Sequence, residues 1–304
     1  MSWDTQHLPS EAGRTFVVTG GNAGVGYFTS EQLASTGARV ILASRSAEKA
    51  ERAMASIRER IPGAELGFVR LDLTSLSGVA AASEQLRGLG PLDGLINNAG
   101  LVAGPRRRTT TEDGLEIVIG SNLFGPFALT AQLWPALTAT GRVVSVGSMS
   151  TRLVRLDAGD LLSERRYRPF RAYGLSKHAV QGFALELDRR IRAAGERRLS
   201  LLAHPGFAAD GLAERRPGIN DLPPLRRLAE RSLGLVGQGK DHGAWPSVRA
   251  LLDPDAAGGQ FYGPSRQLTG PPIVIAPVAA SATPEFGAQL WALAEEKTGV
   301  TFTV

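Results

Sequence analysis

The sequence predicts a single α/β domain over residues 1–304, built on a doubly wound parallel sheet of about seven strands. Three observations predict this fold. Short apolar runs alternate with helix-length amphipathic segments, and two runs, 39–43 and 142–146, are apolar at almost every position, as in strands covered on both faces. A glycine-rich turn at 19–26 joins the first run to the first helix. One domain is the economical interpretation, because 304 residues can share one large core.

The predicted elements alternate between strand and helix from residue 15 onward. Strands are expected at 15–19, 38–43, 65–71, 94–97, 142–146, 199–203 and about 259–262. Helices are expected at 25–36, 47–60, 75–87, 112–138 and 170–195, with a last helix at 285–297 after a surface connection over 270–284. Right-handed crossovers would bring the carboxyl ends of the strands, and any ligand site, to one edge of the sheet.

Composition excludes several classes of protein. No apolar run approaches the about 20 residues that cross a membrane, and residues 1–12 are polar, so we expect no membrane span, no secretion and a cytoplasmic location. The chain has no cysteine, which excludes disulfides, thiolate metal sites and a cysteine nucleophile. Its four histidines show no ligand spacing, so no metal site is predicted.

The net charge of +5 does not predict a nucleic acid partner. The 34 basic residues are spread along the chain beside 29 acidic ones, without interleaved aromatic residues. The one basic run is Arg106–Arg108. We interpret this run as a solvated loop, with a rim that attracts an anionic ligand as the alternative.

The glycine-rich turn predicts a Rossmann-type site for a dinucleotide. Glycines at a strand-to-helix turn let the backbone approach a pyrophosphate, whose charge then rests on the helix N-terminus. A tight turn without a ligand is the alternative, because the chain has 36 glycines. The candidate cofactor-binding residues in this turn are Gly20, Asn22, Gly24, Val25 and Gly26.

Ser44 and Arg45 follow the second predicted strand, where the adenosine ribose of a dinucleotide would lie. An acidic residue there would bind a free 2′-hydroxyl, whereas a guanidinium can bind a 2′-phosphate through two hydrogen bonds. We therefore predict NADP(H) rather than NAD(H) as the cofactor. The alternative is that Arg45 is a solvated cap on the following helix, for which Ser46 is also a plausible start.

Further motifs along the chain resemble the short-chain dehydrogenase/reductase family, and most closely its retinol-dehydrogenase-like and related bacterial members. The resemblance covers about residues 13–265, and the motifs appear in the order that the family shows. Beyond the glycine turn they are Asn97–Gly100, Thr111–Gly114, Tyr173–Lys177, His204–Gly206 and Phe261–Pro264.

The resemblance implies additional contacts with the cofactor. Asp72 would lie beside the adenine amine, with local capping of the helix from Ser75 as the alternative. The turn at 98–100 would both stabilise the sheet and pass close to the adenosine. His204 is interpreted as a structural residue at the end of a strand, without a catalytic or metal-binding role. The implied cofactor-binding residues are Asp72, Leu73, Asn98, Ala99, Gly100, Pro205 and Gly206.

Tyr173 and Lys177 stand four residues apart, so on a helix both side chains project from one face. An ammonium near a phenol lowers the pKa of the phenol from about 10, which suits acid–base chemistry near neutral pH. Carbonyl reduction needs such a group, because a proton must reach the developing alkoxide. The resemblance also implies that Lys177 holds the ribose and that both residues contact the cofactor.

The resemblance adds Ser148 and Asn122 to the catalytic set. Ser148, 25 positions before Tyr173, would hydrogen-bond the substrate oxygen, and Ser145 and Ser150 are the weaker alternatives. Asn122 would bend the backbone and hold a water in a proton relay to the lysine. A purely structural asparagine is the alternative.

Two residues depart from the family pattern. Pro126 lies within a predicted helix and predicts a kink near the floor of the active site. Asp210 stands where relatives often carry a threonine that contacts the nicotinamide side of the cofactor. A carboxylate cannot donate a hydrogen bond unless it is protonated, so we expect altered lid closure or cofactor affinity.

Residues 207–250 interrupt the strand–helix rhythm with glycines and prolines, and they predict a substrate lid rather than an inert surface excursion. We expect an NADP(H)-dependent oxidoreductase that interconverts an aldehyde or ketone and an alcohol on a fairly apolar small molecule, as a monomer or homodimer. The alternatives are a non-redox dehydratase or epimerase on the same scaffold, and an NADPH-sensing binding protein without turnover. The apolar positions that favour an apolar substrate are Phe207, Leu212, Ile219, Leu222, Leu225 and Leu235.

Overall fold

The computed structural model describes residues 3–5 and 7–304, and within them eight strands form the main sheet. In chain order the strands are β1 (Thr15–Thr19), β2 (Arg39–Ser44), β3 (Leu66–Arg70), β4 (Leu92–Asn97), β5 (Leu137–Val146), β6 (Leu199–Ala203), β7 (Ala208–Ala209), β8 (Gln238–Gly239), β9 (Phe261–Pro264) and β10 (Pro272–Ile275). The main sheet has the order β10-β9-β6-β5-β4-β1-β2-β3, and β7 pairs with β8 in a separate ladder. Within the main sheet β10 is antiparallel to β9 and the other pairs are parallel, which confirms the predicted fold class.

Helices cover both faces of this sheet, and several begin at side chains that cap them. Ser46 accepts a hydrogen bond from the backbone N–H of Lys49, and Ser75 accepts one from that of Gly78. In chain order the helices are α1 (Gly24–Ala34), α2 (Ala47–Arg60), α3 (Leu76–Arg87), α4 (Ile117–Ile119), α5 (Gly125–Leu133), α6 (Ser150–Leu153), α7 (Pro169–Ala193), α8 (Pro224–Arg231), α9 (Lys240–Leu252) and α10 (Pro284–Thr298).

The core lies in two layers, one on each face of the sheet. Val17 of β1 packs into one layer, whereas its neighbours Phe16 and Val18 pack into the other, as the alternation of side chains along a strand requires. The first layer also holds an aromatic cluster whose rings pack mostly edge to face, and the second is closed by α1, α2 and α9. The aromatic cluster comprises Phe127, Trp134, Phe183, Trp291 and Phe302.

Two predicted boundaries are wrong. The connection expected over 270–284 contains the edge strand β10, which begins at a proline because an edge strand can spare that N–H. The helix expected over 112–138 begins only at Ile117, where the Glu116 carboxylate caps the first turn, and β5 already begins at Leu137. β-Branched Thr138 and the pairing of Leu137 with β4 extend this strand toward its N-terminus.

The predicted lid 207–250 divides into two parts. α9 packs against α1 and buries Ala244, Val248 and Leu251, so its residues belong to the core. The remaining part, 207–239, is called the lid segment below; it contains β7, α8 and β8. A buried ion pair joins this segment to the core, because the Arg216 guanidinium binds both carboxylate oxygens of Glu31 at 2.7 and 3.0 Å.

Candidate active site

The glycine turn and the turn after β4 form one structure at the carboxyl edge of the sheet. The Thr19 hydroxyl accepts hydrogen bonds from the backbone N–H groups of Asn98 (3.0 Å) and Ala99 (2.9 Å). The Asn98 side chain donates to the Thr19 carbonyl at 2.8 Å. Thr19 was not among the predicted site residues. Its position at the carboxyl end of β1, where ligand sites of parallel sheets lie, could have indicated it.

Close packing explains one of the predicted glycines, and backbone conformation explains another. A β-carbon on Gly26 would lie 2.3 Å from the Gly20 carbonyl oxygen and 2.4 Å from the Asn98 side-chain nitrogen, so no larger residue fits. Gly24 begins α1 with a φ of +59°, a conformation that favours glycine. Ala23, before it, offers no capping side chain, and the first turn of α1 holds no acidic residue. The N–H groups of this turn therefore suit an anion such as a diphosphate.

The turn after β2 places Ser44 and Arg45 beside this anion site. Ser44 is buried and its hydroxyl has no hydrogen-bond partner among the described residues, whereas Arg45 is exposed. Ser46 caps α2 by accepting from the Lys49 N–H, so the helix does not need Arg45 as its cap. The Arg45 guanidinium makes none of the hydrogen bonds or ion pairs found in the described part of the chain, which leaves its five donors for a ligand.

Asp72 makes a local turn at the end of β3. Its carboxylate accepts from the backbone N–H of Thr74 at 3.0 Å and from the Thr74 hydroxyl at 2.7 Å, while Ser75 caps α3. The Leu73 carbonyl lies against α5, where a β-carbon on Gly125 would be 2.4 Å from it. The structure therefore gives Asp72 a local bonding role, and its contact with adenine stays a prediction.

Ser148, Tyr173 and Lys177 meet where β5 ends against α7. Tyr173 and Lys177 are buried on one face of α7, with the ammonium 5.9 Å from the centre of the phenol ring. The Ser148 side chain lies close enough to the Tyr173 hydroxyl to lower the pKa of the phenol. Ser145 and Ser150, the alternatives to Ser148, are buried with hydroxyls that lack a partner among the described residues.

Burial controls the ionisation of the Tyr173 and Lys177 side chains. It raises the pKa of Tyr173 above its ordinary value, and the nearby Ser148 side chain offsets this only in part. Burial lowers the pKa of Lys177 to about 8, and its ammonium donates to the Val146 carbonyl at 2.7 Å. The net shift of the Tyr173 pKa is upward because desolvation of the phenol dominates, and the lowering of this pKa by Lys177 stays a prediction.

Asn122 lies in a π-helical turn, Gly120–Phe124, between α4 and α5. Its side chain binds both backbone groups of Leu101, at 2.7 and 3.1 Å, and donates to the Ser176 hydroxyl at 2.9 Å. A β-carbon on Gly100 would lie 2.7 Å from the Asn122 oxygen and 3.8 Å from Lys177 Nζ. Asn122 thus joins the turn after β4 to α7 from a π-helical turn, and its role in a proton relay stays a prediction.

Pro126 and His204 have structural explanations. Pro126 lies in the first turn of α5, directly after the π-helical turn, where its missing N–H interrupts a ladder that is already irregular. His204 is buried, accepts from the Gly206 N–H at 3.1 Å, and has its pKa lowered by burial to about 4. A neutral histidine that orients the following turn fits the predicted structural role. The Pro205 carbonyl in that turn accepts from Gln238 at 2.8 Å.

The sequence analysis missed Lys240, which lies beside the glycine turn. Its ammonium forms an ion pair with Asp210 at 2.5 Å. The ammonium also lies 3.6 Å from the position that a β-carbon on Gly24 would occupy. A charged side chain more than 200 positions away in sequence thus approaches the first residue of α1.

Contrary to the expectation from composition, one stretch among the described residues, Ile117–Ala136, is long and apolar enough to cross a membrane, but 83% of its most apolar window is buried inside the fold. It contains the catalytic candidate Asn122 and faces the core around α7. We therefore interpret it as a core helix.

Three comparisons with known proteins identify the family of this chain. A sequence profile described as short chain dehydrogenase matches residues 14–197, which include the glycine turn and the Ser148, Tyr173 and Lys177 set. Polyprenol dehydrogenase of Mus musculus is 38% identical over 259 residues, covering 83% of this chain and 75% of the relative. Retinol dehydrogenase 13 of Homo sapiens is 37% identical over 219 residues, covering 70% of this chain and 65% of the relative. The crystal structure of an uncharacterized protein from Mycobacterium paratuberculosis is 35% identical, with a TM-score of 0.81 over 100% of both chains.

Proposed function

Because the chain belongs to the short-chain dehydrogenase/reductase family, as its motifs predict, we propose that it is an NADP(H)-dependent oxidoreductase that interconverts a carbonyl and an alcohol. The observation that carries the proposal is the meeting of Ser148, Tyr173 and Lys177 beside the glycine turn. Hydroxyl, phenol and ammonium groups in one buried site are the parts that proton transfer to an alkoxide needs.

Tyr173 is the proton donor in the direction of reduction. Its hydroxyl gives a proton to the carbonyl oxygen while hydride reaches the carbonyl carbon, and oxidation of the alcohol reverses both transfers. The nicotinamide cofactor supplies or accepts that hydride when it is bound. Ser148, whose side chain lies close to the Tyr173 hydroxyl, orients the same oxygen.

Lys177 supports this proton transfer. With a pKa of about 8, its amine is mostly charged at pH 7 yet can release a proton close to neutral pH. Its hydrogen bond to the Val146 carbonyl fixes the ammonium beside Tyr173 and next to Gly100, where a ribose hydroxyl of the cofactor would contact it. Asn122 holds the loop that closes this side of the site.

Arg45 supports NADP(H) over NAD(H). The exposed guanidinium follows β2 directly, and no carboxylate occupies position 44 or 45 to bind a free 2′-hydroxyl. Its planar fork matches a 2′-phosphate.

Exposed apolar side chains around the site favour an apolar substrate. Most of the large exposed apolar residues lie in the connections that follow β4, β5 and β6, at the edge of the sheet that holds the catalytic residues. The names of the relatives, polyprenol and retinol dehydrogenases, indicate alcohols with long apolar tails. The large apolar residues exposed in these connections are Val102, Leu153, Phe170, Phe207, Leu225, Leu228, Leu235 and Val236.

NADPH consumption with a series of aldehydes of increasing tail length tests the proposal. We expect turnover that rises with tail length in the wild type and is lost in Tyr173→Phe. Substrate conversion without net NADPH consumption would favour the dehydratase or epimerase alternative. NADPH binding without turnover across the series would favour the sensing protein.

A further inference from the structure

The pairing of Asp210 with Lys240 is built into the backbone. The two short strands β7 and β8 run parallel, with Ala209 opposite Gly239, so the next residue along each strand is held beside the other. These next residues are Asp210 and Lys240, and their charged groups meet at 2.5 Å with about a quarter of each side chain exposed. Strand register, rather than a chance surface encounter, therefore fixes the position of the ammonium.

That position is above the first turn of α1. The three heavy atoms nearest to a β-carbon built on Gly24 all belong to Lys240, and its ammonium is the nearest of them at 3.6 Å. α9, which begins with Lys240, packs along α1, and the Gln32 side chain donates to the Asp241 carbonyl at 2.8 Å. Because Gly24 has no side chain, nothing of its own separates the ammonium from the N–H groups of this turn.

The charges around this ammonium explain why it is needed. Asp210 and Glu230 bring two carboxylates to this edge, where Glu230 accepts from the Gly211 N–H at 2.8 Å and forms an ion pair with Arg226 at 3.1 Å. An unpaired Asp210 carboxylate near a diphosphate would repel it. Lys240 neutralises Asp210 and still faces the anion-binding turn.

We propose that Lys240 binds the diphosphate of the dinucleotide, sharing its ammonium between Asp210 and the phosphate oxygens. This inference rests on the proposed function, because it concerns the cofactor of that same site. It assigns two separate tasks to two cations: Lys240 binds the part that NADPH and NADH share, and Arg45 binds the 2′-phosphate that only NADPH carries. Asp210, which stands where relatives often carry a threonine, is then one partner of an ion pair. In this chain the Lys240 ammonium takes the place of the threonine hydroxyl as the group that contacts the cofactor.

Equilibrium binding of ligands to purified variants tests the division of tasks. In Lys240→Met we expect affinity for NADPH and NADH to fall by the same factor, about 10- to 100-fold, the scale of a charge-assisted hydrogen bond. Adenosine 2′-monophosphate lacks the diphosphate, so its affinity should change less than about twofold. Arg45→Ala should show the opposite pattern, with losses for NADPH and adenosine 2′-monophosphate and little change for NADH.

Control variants separate the contact from a general effect of charge. Lys297→Met, on α10, removes the same charge at a partly exposed position paired with Glu296, and should bind both dinucleotides like the wild type. Lys240→Arg should retain most of the affinity, and Lys240→Met/Asp210→Asn should bind more tightly than Lys240→Met because the lone carboxylate is gone. If Lys240→Met does not fold, Lys240→Gln takes its place with the same expected losses.

If a folded Lys240→Met or Lys240→Gln variant binds NADPH and NADH as tightly as the wild type does, the inference is overturned and the proposed function is left intact. A wild-type protein that binds neither NADPH nor NADH would instead overturn the proposed function. Loss of NADPH binding alone in Lys240→Met would also overturn the inference, because it would place the lysine at the 2′-phosphate.

Discussion

The cofactor edge comprises the carboxyl ends of β1, β2 and β4 and the turns that follow them. It and the lid segment border the same site, yet they are built in opposite ways. At the cofactor edge β1 is buried along its whole length, and the turn after it packs so closely that a β-carbon on Gly26 would lie 2.3 Å from the Gly20 carbonyl oxygen. In the lid segment, none of the described residues of α8 is buried. On that helix Arg227 and Glu230 are the partly buried side chains that bond to the segment, while Leu225 and Leu228 are 82% and 66% exposed.

This difference separates two kinds of recognition. The cofactor edge binds a ligand that the whole family shares, so rigid packing can fix its geometry in advance. The lid segment exposes leucines that a typical surface helix would turn inward, as expected of a surface that an apolar ligand covers. Its role as a lid stays a prediction, and the following five experiments test the contrast.

Hydrogen exchange should show the largest difference. Amides of β1 and β4 exchange only on global unfolding, whereas those of 224–236 need only local opening, so protection should differ by about 10³-fold or more. Mass spectrometry, with and without NADPH and a long-chain aldehyde, measures the protection of both regions. Equal protection of the two regions in the free protein would mean that the lid segment is a fixed wall.

Tyr173→Phe should lower turnover by about 10² to 10⁴, the size of a general acid–base contribution. Affinity for NADPH should persist, because the cofactor edge does not depend on the phenol hydroxyl. Steady-state kinetics paired with NADPH titration separates the two effects. Retained turnover in this variant would remove Tyr173 from its assigned role.

Gly26→Ala should destabilise the cofactor edge by about 1 to 3 kcal/mol, the cost of forcing an extra carbon into packed structure. The new β-carbon would meet the Gly20 carbonyl at 2.3 Å. Gly88→Ala is the matched control, since its β-carbon would meet the nearest atom, a carbonyl oxygen, at 3.4 Å and its φ is −67°. Urea denaturation of both variants decides whether the turn tolerates a side chain.

Lys177→Met should raise the free energy of unfolding at pH 7 by about 1 to 2 kcal/mol while abolishing activity. Burial holds the pKa of Lys177 near 8, so the wild type bears a desolvation cost of about 3 kcal/mol, of which the hydrogen bond to Val146 returns about 1. Between pH 8 and about 10 the unfolded state binds more protons, so wild-type stability should rise with pH there. Thermal unfolding against pH checks both, and a less stable Lys177→Met would contradict the argument.

Leu228→Ser should have the smallest effect on the fold. Because the side chain is 66% exposed, the free energy of unfolding should stay within about 0.5 kcal/mol of the wild-type value. We expect KM to rise several-fold for long-tailed aldehydes and to stay constant for short ones. Ser232→Ala, exposed in the same segment, is the control, and an identical KM for every tail length in Leu228→Ser would exclude this leucine from substrate binding.

The sequence by itself determined the features whose signals are local. Alternating apolar runs identified seven strands of the main sheet, the glycine spacing identified the turn after β1, and an interval of four residues identified the Tyr173 and Lys177 face of α7. Each of these depends on a few consecutive residues, where period and backbone freedom are readable directly.

Only the tertiary structure decided what depends on distant neighbours. Strand pairing made an edge strand of Pro272–Ile275, which looked like a connection, and it brought Lys240 to Gly24 across more than 200 residues of sequence. Packing set the direction of the Tyr173 pKa, because desolvation depends on everything that surrounds the ring and the local pattern showed only the lysine. For the same reason the glycines and prolines after β6 predicted an irregular segment, but the outward orientation of its leucines could not be predicted, since burial is a property of the assembled chain.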